Sequence, residues 1–110
     1  MNLKDMATYP SLKDRVTLIT GGGSGIGASI VERFCEQGSK VYFVDNDKTA
    51  SYNLVERLAR GGGNTPNFVC CDVRDINKLQ SVIKSIIDSS GPIRILINNG
   101  IYSGITSISI

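Results

Sequence analysis

The stretch "TLITGGGSGIGASI" (residues 17–30) carries an apolar run into a loop with five glycines and leaves it in an amphipathic segment. The run "RVTLIT" (15–20) is nearly continuous in apolar residues rather than strictly alternating, which predicts a strand covered on both faces. Beyond the loop, Ile26, Ile30, Val31, Phe34 and Cys35 recur at helical spacing, and Gly38 closes the segment. A strand that turns through glycines into a helix converges backbone N–H groups and the positive end of the helix dipole on one point. Only glycine then lets a pyrophosphate approach the main chain closely.

Outward from this unit the same alternation repeats. "KVYFVD" (40–45) reads as a strand, and Asp47 can cap a helix whose inner face carries Leu54, Val55, Leu58 and Ala59. "NFVCCD" (67–72) reads as a third strand, followed by a helix capped by Asp75 with Ile76, Leu79, Val82, Ile83, Ile86 and Ile87 on one stripe. "IRILIN" (93–98) reads as a fourth strand. The order β-α-β-α-β-α-β implies parallel strands with right-handed crossovers, hence an α/β fold with an open, doubly wound sheet. The expected organisation is a lead-in over 1–14, a nucleotide-binding domain over 15–98 that stops after its fourth strand, and an unassigned tail over 99–110.

A second triple-glycine run, Gly61 to Gly63, follows a helix and precedes a turn containing Pro66, so it reads as a connector. The first run gains support from Asp45, which ends the next strand about 20 residues further on, where a carboxylate can accept hydrogen bonds from the adenosine ribose. That carboxylate also repels the additional 2′-phosphate of NADP, and no Lys or Arg stands between Thr20 and Ser29 to neutralise one. NAD is the expected cofactor, preferred over NADP.

Composition narrows the partners. A formal charge of +2 gives no argument for nucleic acid or an anionic membrane, and no apolar run reaches membrane-spanning length. The first residues lack the apolar core of a secretory signal, which suggests a cytosolic setting. Cys35, Cys70 and Cys71 have the spacing of neither a zinc site nor an ordinary disulfide and read as small buried hydrophobes. With no histidine, a His-based acid/base mechanism is excluded.

Together, "TGGGSGIG" (20–27), Asp45, "CDV" (71–73) and "NNG" (98–100) resemble the N-terminal half of the short-chain dehydrogenases/reductases, and the lead-in "YPSLKDRVTLITGGGSGIGA" is most similar to the branch that includes sugar dehydrogenases. The resemblance implies a Rossmann-type fold and hydride transfer between a nicotinamide cofactor and an alcohol or carbonyl. It implies further that Gly21, Ser24, Gly25, Ile26 and Gly27 line the pyrophosphate and that Asp45 takes the adenosine ribose. Asp72 and Val73 would bracket the adenine, Asn99 and Gly100 would lie under the nicotinamide-side ribose, and Asn98 would pin the central sheet. One departure is that the family's Asn-Asn-Ala-Gly reads here Asn98, Asn99, Gly100, Ile101.

The family's proton-transfer Ser and Tyr-x-x-x-Lys lie beyond the fourth strand, so no catalytic residue and no metal ligand is expected in this chain. The one Tyr-x-x-x-Lys match, Tyr9 and Lys13, precedes the first strand beside Pro10 and carries no helical periodicity. Three readings stand: the NAD-binding portion of an oxidoreductase, a non-catalytic product that binds NAD or associates with itself or a full-length relative, and a glycine loop that is structural only. The fourth strand should form an edge exposing Ile95, Leu96 and Ile97, and exposed edges recruit partners. Sedimentation velocity on the isolated chain at tens of micromolar is expected to show species larger than a monomer; a single monomeric boundary would refute this.

Overall fold

Residues 12–99 are described by the structure, a computed structural model. Seven elements alternate: β1 (Val16–Thr20), α1 (Gly25–Glu36), β2 (Lys40–Asp45), α2 (Lys48–Ala59), β3 (Asn67–Cys70), α3 (Ile76–Ser90) and β4 (Ile95–Asn98). The strands form one parallel sheet in the order β3-β2-β1-β4. This is the Rossmann-type arrangement, in which the chain reverses its direction across the sheet at β1 and opens a crevice at the carboxyl ends of β1 and β4.

The near-continuous apolar pattern of β1 has the expected cause, since all five of its residues are buried. Ile19 faces Val31 and Cys35 of α1 and Leu54 and Leu58 of α2, with Val41 and Phe43 of β2 beside it. Val16 and Leu18 face the other way, onto Leu79, Val82, Ile83 and Ile86 of α3, with Val44 and Cys71. Phe43 also stacks at a tilt on Phe68, whose ring meets Tyr52 edge-on. Two helices therefore cover one face and the third covers the other, as right-handed crossovers require.

The differences from the sequence pattern are local. β3 ends at Cys70 rather than Asp72, because the Cys71 N–H still reaches the Asp45 carbonyl at 3.1 Å while Asp72 already belongs to the turn into α3, its carbonyl accepting from Asp75 N at 2.9 Å. β1 and β4 begin at Val16 and Ile95, later than the apolar runs suggested. Ile26 (75% exposed) and Ile76 (44%) stand off the buried stripes of their helices, each in the first turn. On α2, Ala59 is exposed and Ser51 takes the buried position one turn before Leu54.

The second glycine run is a connector. Gly61 N–H closes on the Leu58 carbonyl at 3.0 Å, and Asn64 binds the Cys35, Gly38 and Ser39 carbonyls at the amino-terminal edge of the sheet, opposite the crevice. β4 is the edge of the described sheet, with Ile95, Leu96 and Ile97 half-buried. No helix among the described residues is long and apolar enough to cross a membrane.

A fully buried aromatic or branched side chain contributes more than a helix cap. Phe43→Ala is therefore expected to lower the unfolding free energy by about 3–5 kcal/mol, and Asp75→Ala, which removes the acceptor for Lys78 N–H, by about 1 kcal/mol. Urea denaturation followed by circular dichroism checks the order; equal losses would show that the α1/α2 face does not organise the fold.

Candidate functional site

The helix starts differ from one another. Asp47 caps α2 by accepting from Ala50 N–H at 3.0 Å, and Asp75 caps α3 by accepting from Lys78 N–H at 3.1 Å. Ser24 at the start of α1 makes no side-chain cap bond, and no acidic residue stands in that helix's first turn. The first-turn N–H groups of a helix have no intrahelical acceptor, so those of α1 remain directed at the loop with the dipole behind them. Ser24, Gly25 and Ile26 are exposed there.

Two glycines are required by this geometry. A Cβ on Gly27 would collide with the Gly21 carbonyl oxygen and come within 2.8 Å of Asn99 Nδ2, so hydrogen alone lets α1 lie this close to the end of β1. Gly25 has φ of 58° with nothing within 4 Å of a built Cβ, leaving the main chain bare on the side that faces out.

The loop is braced from three strands. Gly21 N–H donates to the Val44 carbonyl at 2.9 Å, and Gly23 N–H donates to Asp45 Oδ2 at 2.9 Å. Asp45 Oδ1 accepts from Asp47 N–H at 2.9 Å, which fixes the carboxylate at both oxygens. Just past the end of β4, Asn99 Nδ2 donates to the Gly21 carbonyl at 3.2 Å. Thr20 links β1 to β4: its hydroxyl donates to Asn98 Oδ1 at 2.7 Å and accepts from Asn99 N–H at 3.1 Å. Behind Gly23, the fully buried Ser51 Oγ has no hydrogen-bond partner.

Beside the loop, a cleft of ≈ 170 Å³ opens over the ends of β1, β2 and β3, lined by Gly21, Val44, Asp45, Cys71, Asp72 and Val73, with Asn46 and Arg74 at its rim. It brings together four residues selected from the sequence, Gly21, Asp45, Asp72 and Val73. Asp72 is held by Arg74: the guanidinium donates through Nε and Nη2 to the carboxylate, at 2.9 and 2.6 Å, and the Arg74 N–H adds a bond to Oδ1 at 2.9 Å. These bonds hold the Asp72 carboxyl below the usual carboxylate range.

Asn99 lies behind the loop as a brace, and Asn98 pins β4 to β1. Gly100, like Tyr9 and Ile101, is outside the described residues. Sequence reasoning missed Thr20, Arg74 and Ser51. The first two had a legible signal, a hydroxyl at the last position of β1 and a cation two residues after the cleft aspartate, but their partners lie across the sheet or in a turn.

Cys35 and Cys71 are not poised for nucleophilic work. Burial, reinforced by Glu32 and Glu36, pushes the Cys35 thiol up to about 12, and burial raises Cys71 as well. All three are free thiols.

Residues 15–108 match the family described as short chain dehydrogenase. A probable galactose dehydrogenase of Rhizobium meliloti (strain 1021) is 41% identical over 91 residues, which are 83% of this chain and 36% of that protein. The crystal structure of a short chain dehydrogenase from Mycobacterium smegmatis superposes with a TM-score of 0.75 at 26% identity, covering 89% of this chain and 43% of that one. A metagenomic short-chain oxidoreductase in complex with NADP shares the fold, with a TM-score of 0.76 at 23% identity over 82% of this chain and 40% of that one. The chain thus spans well under half the length of these relatives.

Ala is ordinarily the better helix former by about 0.8–1.0 kcal/mol. Gly27→Ala is nevertheless expected to destabilise the chain, by about 1–3 kcal/mol, because the loop must move away from α1. Ser29→Ala, on the exposed side of the same helix, serves as the near-neutral control. Urea denaturation reads both; a Gly27→Ala variant as stable as the parent would show that the close approach is not obligatory.

Proposed function

The chain belongs to the short-chain dehydrogenase family, and we propose that it supplies the dinucleotide-binding portion of such an oxidoreductase. The observation that carries this reading is the uncapped start of α1. The two other helices are closed by their own aspartates, whereas the α1 amides are left for an anion from outside. The pyrophosphate would lie along Gly21, Ser24, Gly25, Ile26 and Gly27, where Gly25 leaves open space and Ile26 has apolar surface to cover.

Asp45 would hold the adenosine ribose through acceptor capacity not used by Gly23 and Asp47. Asp72 and Val73 would flank the adenine in the cleft between β2 and β3. Asn99 and Gly100 would support the nicotinamide-side ribose, Asn99 through its hold on the Gly21 carbonyl. NAD is favoured over NADP because a 2′-phosphate would be placed against the Asp45 carboxylate, with no basic residue in the glycine loop to offset it.

When bound, the nicotinamide ring accepts or donates hydride at the carbon of an alcohol or carbonyl. The similarity to a probable galactose dehydrogenase supports a sugar as that substrate. The described residues contribute binding and orientation. Tyr42 shares a hydrogen bond with Ser90 on the α3 face and Tyr52 packs edge-on against Phe68. Neither faces the crevice, so proton transfer to the substrate is assigned to groups outside residues 12–99. A second reading, association with another copy or a full-length relative along β4, is supported by that strand's place at the edge of the described sheet.

Calorimetric titration of NAD and NADP into the folded chain tests the assignment. NAD is expected to bind more tightly than NADP. Asp45→Asn keeps an oxygen for Gly23 N–H and is expected to weaken NAD about tenfold while narrowing the preference. No heat with either coenzyme, on a chain shown to be folded by circular dichroism, would overturn the reading.

A further inference from the structure

The helical serines are of two kinds. Ser29, Ser81 and Ser89 turn their hydroxyls back onto the carbonyls of Gly25, Asn77 and Ser85, four residues earlier, at 3.4, 3.1 and 2.9 Å, which is the ordinary way for a hydroxyl on a helix to be satisfied. Ser51 on α2 does not. Its N–H reaches the Asp47 carbonyl at 3.1 Å, yet its Oγ, fully buried, has no hydrogen-bond partner among the described residues. Burying an unpaired hydroxyl is unfavourable, and Ala is the better helix former. Packing against Gly23 asks for a small side chain, which Ala would also supply. The hydroxyl itself is therefore unfavourable for folding on both counts.

Its place narrows its use. A Cβ built on Gly23 would collide with Ser51 Oγ and come within 2.9 Å of Asp45 Oδ2. The hydroxyl and the carboxylate thus lie beside one point, next to the bare Cα of Gly23. Asp45 Oδ2 accepts from Gly23 N–H and Oδ1 from Asp47 N–H, each at 2.9 Å. Because Ser51 is fully buried, it can serve a ligand only through a neighbour, and that carboxylate is the neighbour with acceptor capacity to spare.

We propose that Ser51 is a positioning residue for Asp45: its hydroxyl is the reserve donor that Oδ2 takes up when the carboxylate turns to receive the adenosine ribose. The inference rests on the dinucleotide reading above and adds a residue to it. Accepting from a ribose hydroxyl requires the carboxylate to turn from the pose set by Gly23 and Asp47, and that turn stretches the Gly23 bond. A serine hydroxyl rotates to suit its acceptor and can follow the oxygen where the backbone amide cannot. The unliganded chain then carries an unpaired hydroxyl that the liganded chain satisfies. Binding gains from this difference, since only a difference between two states shifts an equilibrium. NADP carries a phosphate ester in place of the 2′-hydroxyl and offers the carboxylate no donor there, so Ser51 matters more for NAD than for NADP.

Calorimetric titration of NAD and NADP into the parent and Ser51→Ala, with a urea midpoint for each, tests the role. Ser51→Ala is expected to leave the midpoint unchanged or raised, to weaken NAD about fivefold or more and to change NADP by less than about twofold. Ser51→Cys, similar in size but a weak donor, is expected to follow Ser51→Ala. On an Asp45→Ala background, where the acceptor is gone, Ser51→Ala is expected to have no further effect on NAD. Should Asp45→Ala not fold, the opposed responses of midpoint and NAD affinity in Ser51→Ala decide alone. An unchanged NAD affinity, a loss shared equally by both coenzymes and matched by a lower midpoint, or the same loss with and without Asp45 overturns the role of Ser51 and leaves the dinucleotide site standing. A parent that binds neither coenzyme removes the dinucleotide site and this inference together.

Discussion

The contact between Gly27 and the Gly21 carbonyl is the constraint from which the site follows. The first helix lies so near the end of the first strand that no side-chain carbon fits between them. That proximity places the first-turn amides of α1 over the crevice where the sheet reverses direction. Had the helix stood off by the width of a methyl group, the loop would have been wider and its amides would point past one another. The remaining features serve to keep this approach in place: the Phe43 core beneath it, the Asp45 carboxylate on one side and the Asn99 amide on the other.

The braces also explain why one residue type recurs in so many roles. Aspartate is used here as a helix cap at positions 47 and 75, as a loop anchor at 45 and as an ion-paired acceptor at 72. In each case a short side chain with two acceptor oxygens satisfies main-chain N–H groups that would otherwise lack partners. The helix without such a residue is the one that opens the glycine loop. Among the described residues it is the one helix whose start has no aspartate cap, and the nearest carboxylate, Asp45, is engaged by Gly23 N–H and Asp47 N–H instead.

Much of the architecture was legible because it is periodic. The stripe at Leu79, Val82, Ile83 and Ile86 and the nearly continuous run in β1 name their elements and their faces. The glycine loop and Asp45 were legible because their spacing follows from strand and helix lengths in a parallel sheet. Other features were not, for physical reasons. Ile26 and Ile76 match the helical period yet stand in first turns, where the stripe has not yet reached the sheet. Cys71 and Asp72 continue an apolar run, but the backbone leaves the ladder at Cys70 for a turn whose hydrogen bonds are set by side chains. The Thr20 bridge and the Arg74 clamp depend on where an oxygen or a guanidinium points, which periodicity does not encode.

The hydroxyl of Thr20 meets the Asn98 side chain across 78 positions of chain, and this separation bears on how the protein reaches its native state. β1 cannot pair with β4 until every intervening element has been made or looped out, and closing so long a segment is entropically slow. The hairpin-free, parallel order of the sheet offers no shorter route. The crevice therefore depends on the pairing of β1 with β4, whose partners lie much further apart in the chain than those of β1 and β2. A molecule that bridges the loop and the end of β4 would hold shut the longest-range closure in the described sheet, and its binding energy would be felt as cooperativity of the entire sheet rather than as local ordering of the loop.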